Sequence, residues 1–316
     1  MDMAIIVIWQ TVLMFLFMAI GFLLFKTKKI SPEGSKTMAN ILVYAVLPAV
    51  IIKSFCKEPT LANMKALGIS AIIGFGAITI SILVSRLFFN NAPIDEFASA
   101  FCNVGFFGIP VIQATPLGSD GVFYIAAIVA FVNIGQWTYG VMRLTGKQVK
   151  EVFSPVKLAT SPFIIATGVG LILFFSGLGS AMTKVEITQK LVFGLIEGMS
   201  IVNTPLAMIV LGVYLAQTDL KSMFTTKQAY TVSIVRLIII PAVLLLVFWI
   251  IPKDLYSIKT AVFISAICPV GSNVAVYAEL HGKDYSHAVK TVTASTLFSI
   301  ITMPIFIMLA NLLWLI

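Results

Sequence analysis

Two stretches of the sequence decide the fold: residues 101–118, FCNVGFFGIPVIQATPLG, and residues 266–280, AICPVGSNVAVYAEL. Each places proline, glycine and polar side chains inside a segment that is otherwise apolar. Proline within a helix removes a backbone donor and clashes with the preceding turn, and glycine adds backbone freedom. We therefore predict two helices that are each broken near the centre, at Pro110 and at Pro269.

The composition around these stretches is that of an integral membrane protein. Hydrophobic residues make up 59% of the 316 residues, charged residues make up 11%, and the mean hydropathy is +1.03. A soluble domain carries about a quarter charged residues, too many for this composition. The apolar runs are continuous and do not alternate with polar residues, which indicates helices. The predicted fold class is an all-α integral membrane protein.

The apolar runs divide into ten segments. A helix that crosses the hydrocarbon of a bilayer needs roughly 20 apolar residues. We predict ten transmembrane helices, the first of them retained as a membrane helix, at residues 3–25, 38–56, 66–89, 97–116, 121–144, 160–178, 190–216, 228–251, 258–280 and 287–315.

Positive charges orient these segments. Lysine and arginine are more frequent in the odd-numbered loops, such as residues 26–37 and 145–159, although Lys53, Lys57 and Lys65 run against this pattern. Because basic loops stay in the cytoplasm, we expect a multi-pass protein of the cell membrane with both termini on the non-cytoplasmic side. The same distribution explains the net charge of +8, so no nucleic-acid partner is expected.

Prolines and a turn motif recur at matching positions in the two halves of the chain. Pro48 in the second segment corresponds to Pro205 in the seventh, and Pro110 in the fourth corresponds to Pro269 in the ninth. A Gly-x-Asp turn follows each of the latter, at residues 118–120 and 282–284. We predict two five-helix repeats, residues 1–150 and residues 151–316, forming one membrane unit. An odd number of helices per repeat makes the second repeat inverted, as in many secondary transporters.

Polar side chains beside the predicted breaks mark a candidate binding site. Amide and hydroxyl groups at that depth need partners, and Asn103, Gln113, Ser272 and Asn273 lie there. A half-helix that begins after a break presents unpaired N–H groups and the positive end of its dipole, which favours an anion. Neither break contains Asp or Glu, so a small carboxylate is the better fit.

Three further residues in the membrane segments are polar or charged. Asn203 precedes Pro205 in the seventh segment and is equally consistent with a kink and with substrate contact. Glu197 is a candidate coupling-proton site or a residue at the mouth of the pathway. Arg236 could hold an anion, reach the cytoplasmic surface or pair with a carboxylate. Glu197 and Arg236 are the only charges that the predicted segments place well inside the membrane.

Several chemistries find no support in the sequence. No nucleotide-binding glycine pattern and no Cys/His spacing suited to zinc is present, so we expect no cofactor and no metal. No nucleophile and base stand out as a pair, so the protein is not expected to be an enzyme. Cys56, Cys102 and Cys268 indicate no disulfide framework. His281 and His287 are predicted to be solvated at a turn.

At these residues the chain resembles the auxin efflux carrier family, particularly its bacterial malate or malonate permease-like members. The stretch 103–110, NVGFFGIP, is similar to the N-x5-I-P crossover of that family. The stretch 203–216, the Arg236–Pro241 spacing, the Cys-Pro-Val at 268–270 and Asn133 before Trp137 extend the likeness over nearly the whole chain.

The resemblance implies ten helices, with helices four and nine crossing at the substrate site. It implies that Asn103 and Asn133 hold a carboxylate and that Pro110 and Pro269 mark the crossing. The short central loop and Asn at position 133, where plant members carry Gln, disfavour auxin itself. The full candidate binding set is Asn103, Gly105, Pro110, Gln113, Asn133, Asn203, Pro269, Ser272 and Asn273, with Glu197 and Arg236 as candidate coupling or pathway residues.

The predicted function is secondary transport of a small organic anion, a mono- or dicarboxylate, by alternating access. Protons and a second copy of the chain are further candidate partners beside the substrate and the lipid bilayer. A sodium- or proton-coupled symporter of the bile-acid-transporter type is the main alternative. An ion channel is disfavoured, because broken helices in matching positions are not typical of a selectivity filter. A membrane-bound enzyme or structural subunit is disfavoured, because no catalytic constellation stands out and polar residues lie at both breaks.

Overall fold

The protein is described by a computed structural model over residues 3–152, 154–218 and 226–315. Long helices form most of this part of the chain. They are α1 (Met3–Lys26), α2 (Pro32–Phe55), α3 (Leu61–Phe89), α4 (Pro93–Ala100), α5 (Val104–Gln113), α6 (Gly118–Thr145), α7 (Pro162–Phe175), α8 (Leu178–Lys184), α9 (Glu186–Gln217), α10 (Lys227–Trp249), α11 (Tyr256–Ala266), α12 (Asn273–Leu280) and α13 (Tyr285–Leu315). Short helical turns, Val149–Val152, Pro155–Ala159 and Lys253–Leu255, connect some of them.

Seven of the described helices, α1, α2, α3, α6, α9, α10 and α13, are long and apolar enough to cross a membrane, and α7 with α8 forms a candidate eighth that bends by 74°. The protein is therefore an all-helical, multi-pass membrane protein. The remaining two predicted segments, 97–116 and 258–280, each contain a pair of short helices: α4 with α5, and α11 with α12. A total of ten spans and an inverted repeat stay predictions.

Both predicted broken helices are broken, but the first break is not at Pro110. α4 ends at Ala100 and α5 begins at Val104, so the break lies at residues 101–103. The second break, between α11 and α12, contains Pro269 as predicted. Pro205 does not interrupt its helix, because α9 runs through it without a break.

Local signals in the sequence explain the helix ends. Ser31 caps α2 by accepting a hydrogen bond from Gly34 N at 3.1 Å, ahead of Pro32 in the first turn. Gly118 and Gly282 in the two Gly-x-Asp turns adopt φ values of 47° and 63°, a left-handed conformation that glycine reaches without strain. The two turns therefore share a backbone conformation as well as a sequence pattern.

Close backbone contact holds α1 against α9. A Cβ on Gly21 would lie 2.2 Å from Ile209 O, and one on Gly212 would lie 1.9 Å from Met18 O. Small residues permit this approach, which is a common way to pack helices in membranes. The two helices come from different predicted repeats, so this contact ties the first part of the chain to the second.

Candidate functional site

The two broken segments meet through their backbones. Asn103 N donates a hydrogen bond to Pro269 O at 2.8 Å, and Gly271 N donates one to Phe101 O at 2.9 Å. The pair Cys102 and Val270 forms an isolated antiparallel bridge. Backbone groups released from helices inside a membrane must find partners in the protein or in a water-filled cavity. Each break here supplies partners for the other, and we call this meeting point the crossing.

A cavity of about 110 Å³ lies at the crossing. We call it the crossing cavity. Its wall combines both breaks with α2, α6 and α7, and it is lined by Val43, Cys102, Asn103, Val104, Gly105, Phe106, Val132, Asn133, Gln136, Phe163, Gly271, Ser272 and Asn273. None of these side chains carries a formal charge at neutral pH, yet four of them are amides.

Asn103 has a free donor in this wall. Its side chain is only 5% exposed, and its Oδ1 caps α5 by accepting a hydrogen bond from Phe106 N at 3.3 Å. Its Nδ2 is buried and has no hydrogen-bond partner in the described structure. Leaving such a donor unsatisfied costs about 1–3 kcal/mol. A ligand with an acceptor oxygen would remove that cost.

The other amides are held in place by neighbours. Asn273 Nδ2 donates to Gln136 Oε1 at 3.0 Å, which links the start of α12 to α6. Asn133 Nδ2 donates to Val129 O at 2.8 Å, one turn back along α6. These bonds fix the orientation of the cavity wall, and each Nδ2 keeps its second hydrogen for another acceptor.

Two helix starts face the same small space. α5 begins directly after Asn103, and α12 begins directly after Ser272, so the first N–H groups of both lie at the crossing. The first four N–H groups of a helix have no acceptor within it, and the dipole makes that end positive. A neutral set of side chains therefore surrounds a space with positive helix ends, an arrangement that suits an anion.

Of the nine predicted binding residues, five line the crossing cavity: Asn103, Gly105, Asn133, Ser272 and Asn273. Pro269 contributes its carbonyl to the crossing. The remaining three, Pro110, Gln113 and Asn203, lie elsewhere. Pro110 is buried within α5. Gln113, the last residue of α5, donates to Ser200 Oγ at 3.0 Å and accepts from Asn203 Nδ2 at 2.6 Å.

A second and wider cavity of about 390 Å³ lies at the far end of α5. We call it the wide cavity. Side chains of α1, α2 and α9 line it together with the connection from α5 to α6, and Gln113 lies in its wall. Glu197 lines it too, forming an ion pair with Lys53, and the Glu197 side chain is 52% exposed. Glu197 thus lies away from the crossing cavity, in the wall of the wide cavity.

Arg236 is enclosed by the protein, and within the part of the chain that the structure describes it pairs with no carboxylate. It is fully buried, and its guanidinium donates hydrogen bonds to Cys268 O at 2.9 Å, to Ser99 O at 3.2 Å and to Ala266 O. These carbonyls lie at the helix ends that border the two breaks or, for Cys268, within the second break. Arg236 is therefore part of the crossing, although it does not line the cavity.

Sequence reasoning missed several buried polar residues. The structure begins α4 at Pro93, four residues before the predicted segment, so Asp95 and Glu96 are buried in its first turn. Glu96 accepts hydrogen bonds from Tyr139 and Arg143. Asp95 bonds to His287, so His287 is not simply the solvated residue at a turn that the sequence predicts. Arg236 is thus not the only buried charge among the described residues, whereas Glu197 is not buried. Lys259 on α11 is also buried.

Gln136 and Phe163 line the crossing cavity but were not among the predicted binding residues. A signal for Gln136 existed in the sequence, because it lies three residues after Asn133 and therefore on the same face of α6. Phe163 on α7 carried no such signal. Its ring approaches the position a Cβ would take on Gly105 to 3.0 Å, a contact between residues far apart in the chain.

The long apolar helices define the class of the protein as a multi-pass membrane protein. A family model described as "Membrane transport protein" matches residues 6–155 and 148–307, nearly the whole chain. The chain belongs to this family, the auxin efflux carrier family, which confirms the resemblance found in the sequence. No curated protein matches the chain.

Proposed function

We propose that the protein is a secondary transporter of a small organic anion, a mono- or dicarboxylate such as malate, malonate or an auxin-like acid. The carboxylate binds in the crossing cavity, where Asn103 Nδ2 and the N-terminal ends of α5 and α12 hold it. The observation that carries this proposal is the buried Asn103 donor without a partner. A carboxylate oxygen is the acceptor that would satisfy it, and such a charge-assisted hydrogen bond is stronger than a neutral one.

The size of the cavity favours a small substrate. Pockets for drug-sized ligands span about 300–1,000 Å³, whereas the crossing cavity has about 110 Å³. A dicarboxylate of three or four carbons suits this space better than an acid with an indole ring. The indole acid needs Phe163 or Phe106 to move aside.

The placement of α5 between two cavities supports alternating access. Asn103 at its start lies at the crossing cavity, and Gln113 at its end lies at the wide cavity. The helix has ten residues and so measures about 15 Å. The hydrogen bond that Gln113 donates to Ser200 and the one that it accepts from Asn203 hold α5 against α9 in this conformation. Exposure of the crossing to the opposite side requires these bonds to break.

Direction depends on coupling. An interior-negative potential of 100 mV favours export of a monovalent anion by about 2.3 kcal/mol, so an uncoupled carrier in the cell membrane would export its substrate. Uptake requires protons or exchange. A second copy of the chain is a further candidate partner. A cation-coupled symporter of the bile-acid-transporter type is disfavoured, because none of the described residues that line the crossing cavity is a carboxylate.

Thermal shift of the purified protein against malate, malonate and indole-3-acetate tests the proposal. We expect a carboxylate to raise Tm. Asn103→Ala removes the donor and should weaken binding by about 10–100-fold, the equivalent of one hydrogen bond to a charged group. Asn103→Asp keeps an acceptor for Phe106 N but places a negative charge in the cavity, so it should abolish binding.

The surface variant Asn91→Ala is the matched control, because Asn91 is exposed and outside the cavity. It should bind as the unmodified protein does. Equal carboxylate affinity in Asn103→Asp and in the unmodified protein would remove Asn103 from the site. A Tm that no carboxylate in the panel changes would argue against the proposed substrate class.

A further inference from the structure

Arg236 bonds to the ends of both broken helices at once. Ser99 O lies in the last turn of α4, Ala266 is the last residue of α11, and Cys268 follows it within the break. The last carbonyls of a helix have no partner within it. One guanidinium, with three of its nitrogen atoms, satisfies carbonyls from both C-terminal ends.

These carbonyls carry a negative electrostatic potential. The dipole of a helix places about −0.5 elementary charge at its C-terminus and about +0.5 at its N-terminus. Each broken segment brings both of its ends to the crossing: a C-terminus, from α4 or α11, and an N-terminus, from α5 or α12. Without a further charge the opposite ends would largely cancel in the crossing cavity. The +1 charge of Arg236 is about equal to the two C-terminal ends together.

Arg236 has no acidic partner among the described residues. No carboxylate of the described residues lies within 4 Å of its guanidinium. The other titratable side chains that interact with it are the thiols of Cys102 and Cys268. A fully buried arginine without an acidic partner is costly, so another group must compensate the charge of Arg236. The carbonyl ends of α4 and α11 are that group.

We propose that Arg236 is a positioning residue that makes the crossing cavity selective for anions. By neutralising the C-terminal ends of α4 and α11, it leaves the positive N-terminal ends of α5 and α12 to set the sign of the potential at the ligand. It acts through the helix ends and does not touch the substrate. The inference rests on the proposed carboxylate function and adds to it the source of the charge preference.

The test compares each acid with its neutral amide. Binding of malonate and malonamide, malate and malamide, and indole-3-acetate and indole-3-acetamide is measured on the purified full chain. We expect Arg236→Gln to reduce affinity for the acids about tenfold or more while changing affinity for the amides little. Arg236→Lys keeps the charge but not the three-way geometry, so it should retain the preference for acids even where its Tm falls.

The matched control is Lys259→Gln. Lys259 is another buried cation of the described residues. It lies on α11, whose last carbonyl Arg236 binds, but it donates to Ile251 O at 2.9 Å and does not line the cavity. Lys259→Gln should leave the ratio of acid affinity to amide affinity unchanged. An equal fall of the ratio in Lys259→Gln, an unchanged ratio in Arg236→Gln, or loss of acid preference in a folded Arg236→Lys would each overturn the inference.

The carboxylate site and the role of Arg236 are overturned by different results. If the unmodified protein binds no acid of the panel, the proposed function and the role of Arg236 are both overturned. If it binds acids and Arg236→Gln keeps the same acid-to-amide ratio, only the role of Arg236 is overturned. Should Arg236→Gln fail to fold, the ratio in Arg236→Lys still decides, because a structural role alone does not preserve charge preference.

Discussion

The role assigned to Glu197 depends on its ion pair with Lys53. A carboxylate in an apolar segment is a candidate proton site by default. Here Glu197 pairs with Lys53 and is half exposed in the wide cavity. Both observations favour a residue of the access pathway over a buried coupling site.

We therefore expect Glu197→Gln to alter transport rate but to leave its dependence on a pH gradient unchanged. Uptake or efflux of the bound carboxylate in reconstituted vesicles, with and without a gradient, measures this. Glu186→Gln is the control, because Glu186 forms an exposed ion pair with Lys190 on the same helix. Loss of the pH-gradient dependence in Glu197→Gln alone would make Glu197 the coupling site.

The sequence could single out Asn103 as a candidate because local information sufficed: an amide beside a glycine-rich, proline-containing stretch of an apolar segment. It could not identify the environment of Glu96 or Arg236, since that depends on distant residues. Glu96 is buried because Arg143, 47 positions away, supplies its partner. The carbonyl partners of Arg236 are up to 137 positions away.

At the scale of elements, proline located the two broken segments but misplaced one break. The sequence predicts a break at Pro110, yet the chain leaves the helix at residues 101–103 and Pro110 follows within α5. A wide π-helical turn, Val104–Gly108, precedes it, and proline is tolerated close to the start of an α-helical stretch because the first N–H groups there have no acceptor. Proline thus marks the helix that follows the break, and Asn103 marks the break.

The contact of α1 with α9 yields a stability prediction. Gly212→Ala would place a methyl group 1.9 Å from Met18 O, and backbone cannot give way as a side chain can. We expect a loss of about 1–3 kcal/mol or more, the usual cost of overpacking. Thermal unfolding in detergent measures it as a lower Tm.

Gly198→Ala on the same helix is the matched control. No atom lies within 4 Å of its added Cβ, so it should keep or raise Tm, since alanine is a better helix former than glycine by about 1 kcal/mol. Equal Tm values for the two variants would show that α1 and α9 are not held at this distance.

At the scale of the whole molecule, the orientation in the membrane is open to a direct test. In a Cys56→Ser background, Cys102 and Cys268 remain buried. A cysteine introduced at Asn63, between the second and third predicted segments, should react with an impermeant maleimide in intact cells. One introduced at Lys28 should react only after the membrane is opened. The reverse pattern would invert the predicted topology.

The two predicted repeats share the left-handed glycines of the Gly-x-Asp turns and a fourth segment that is broken, and local patterns in the sequence pointed to both. Composition and hydropathy were enough to predict a helical membrane protein. They could not predict the mutual backbone bonds of the crossing, because residues 103 and 269 are neighbours only after both segments have folded.

The glycine contact between α1 and α9 also bears on how the protein is made. Gly21 leaves the ribosome long before Gly212, with roughly 190 residues between them. Translation at about 5–20 residues per second needs roughly 10–40 s to cover that length. During this interval α1 lies in the bilayer without α9, and the surface around Gly21 is open to lipid or to other nascent helices. Assembly of the first half is therefore incomplete until late in synthesis, and truncated chains that stop before Gly212 should be targets for membrane quality control.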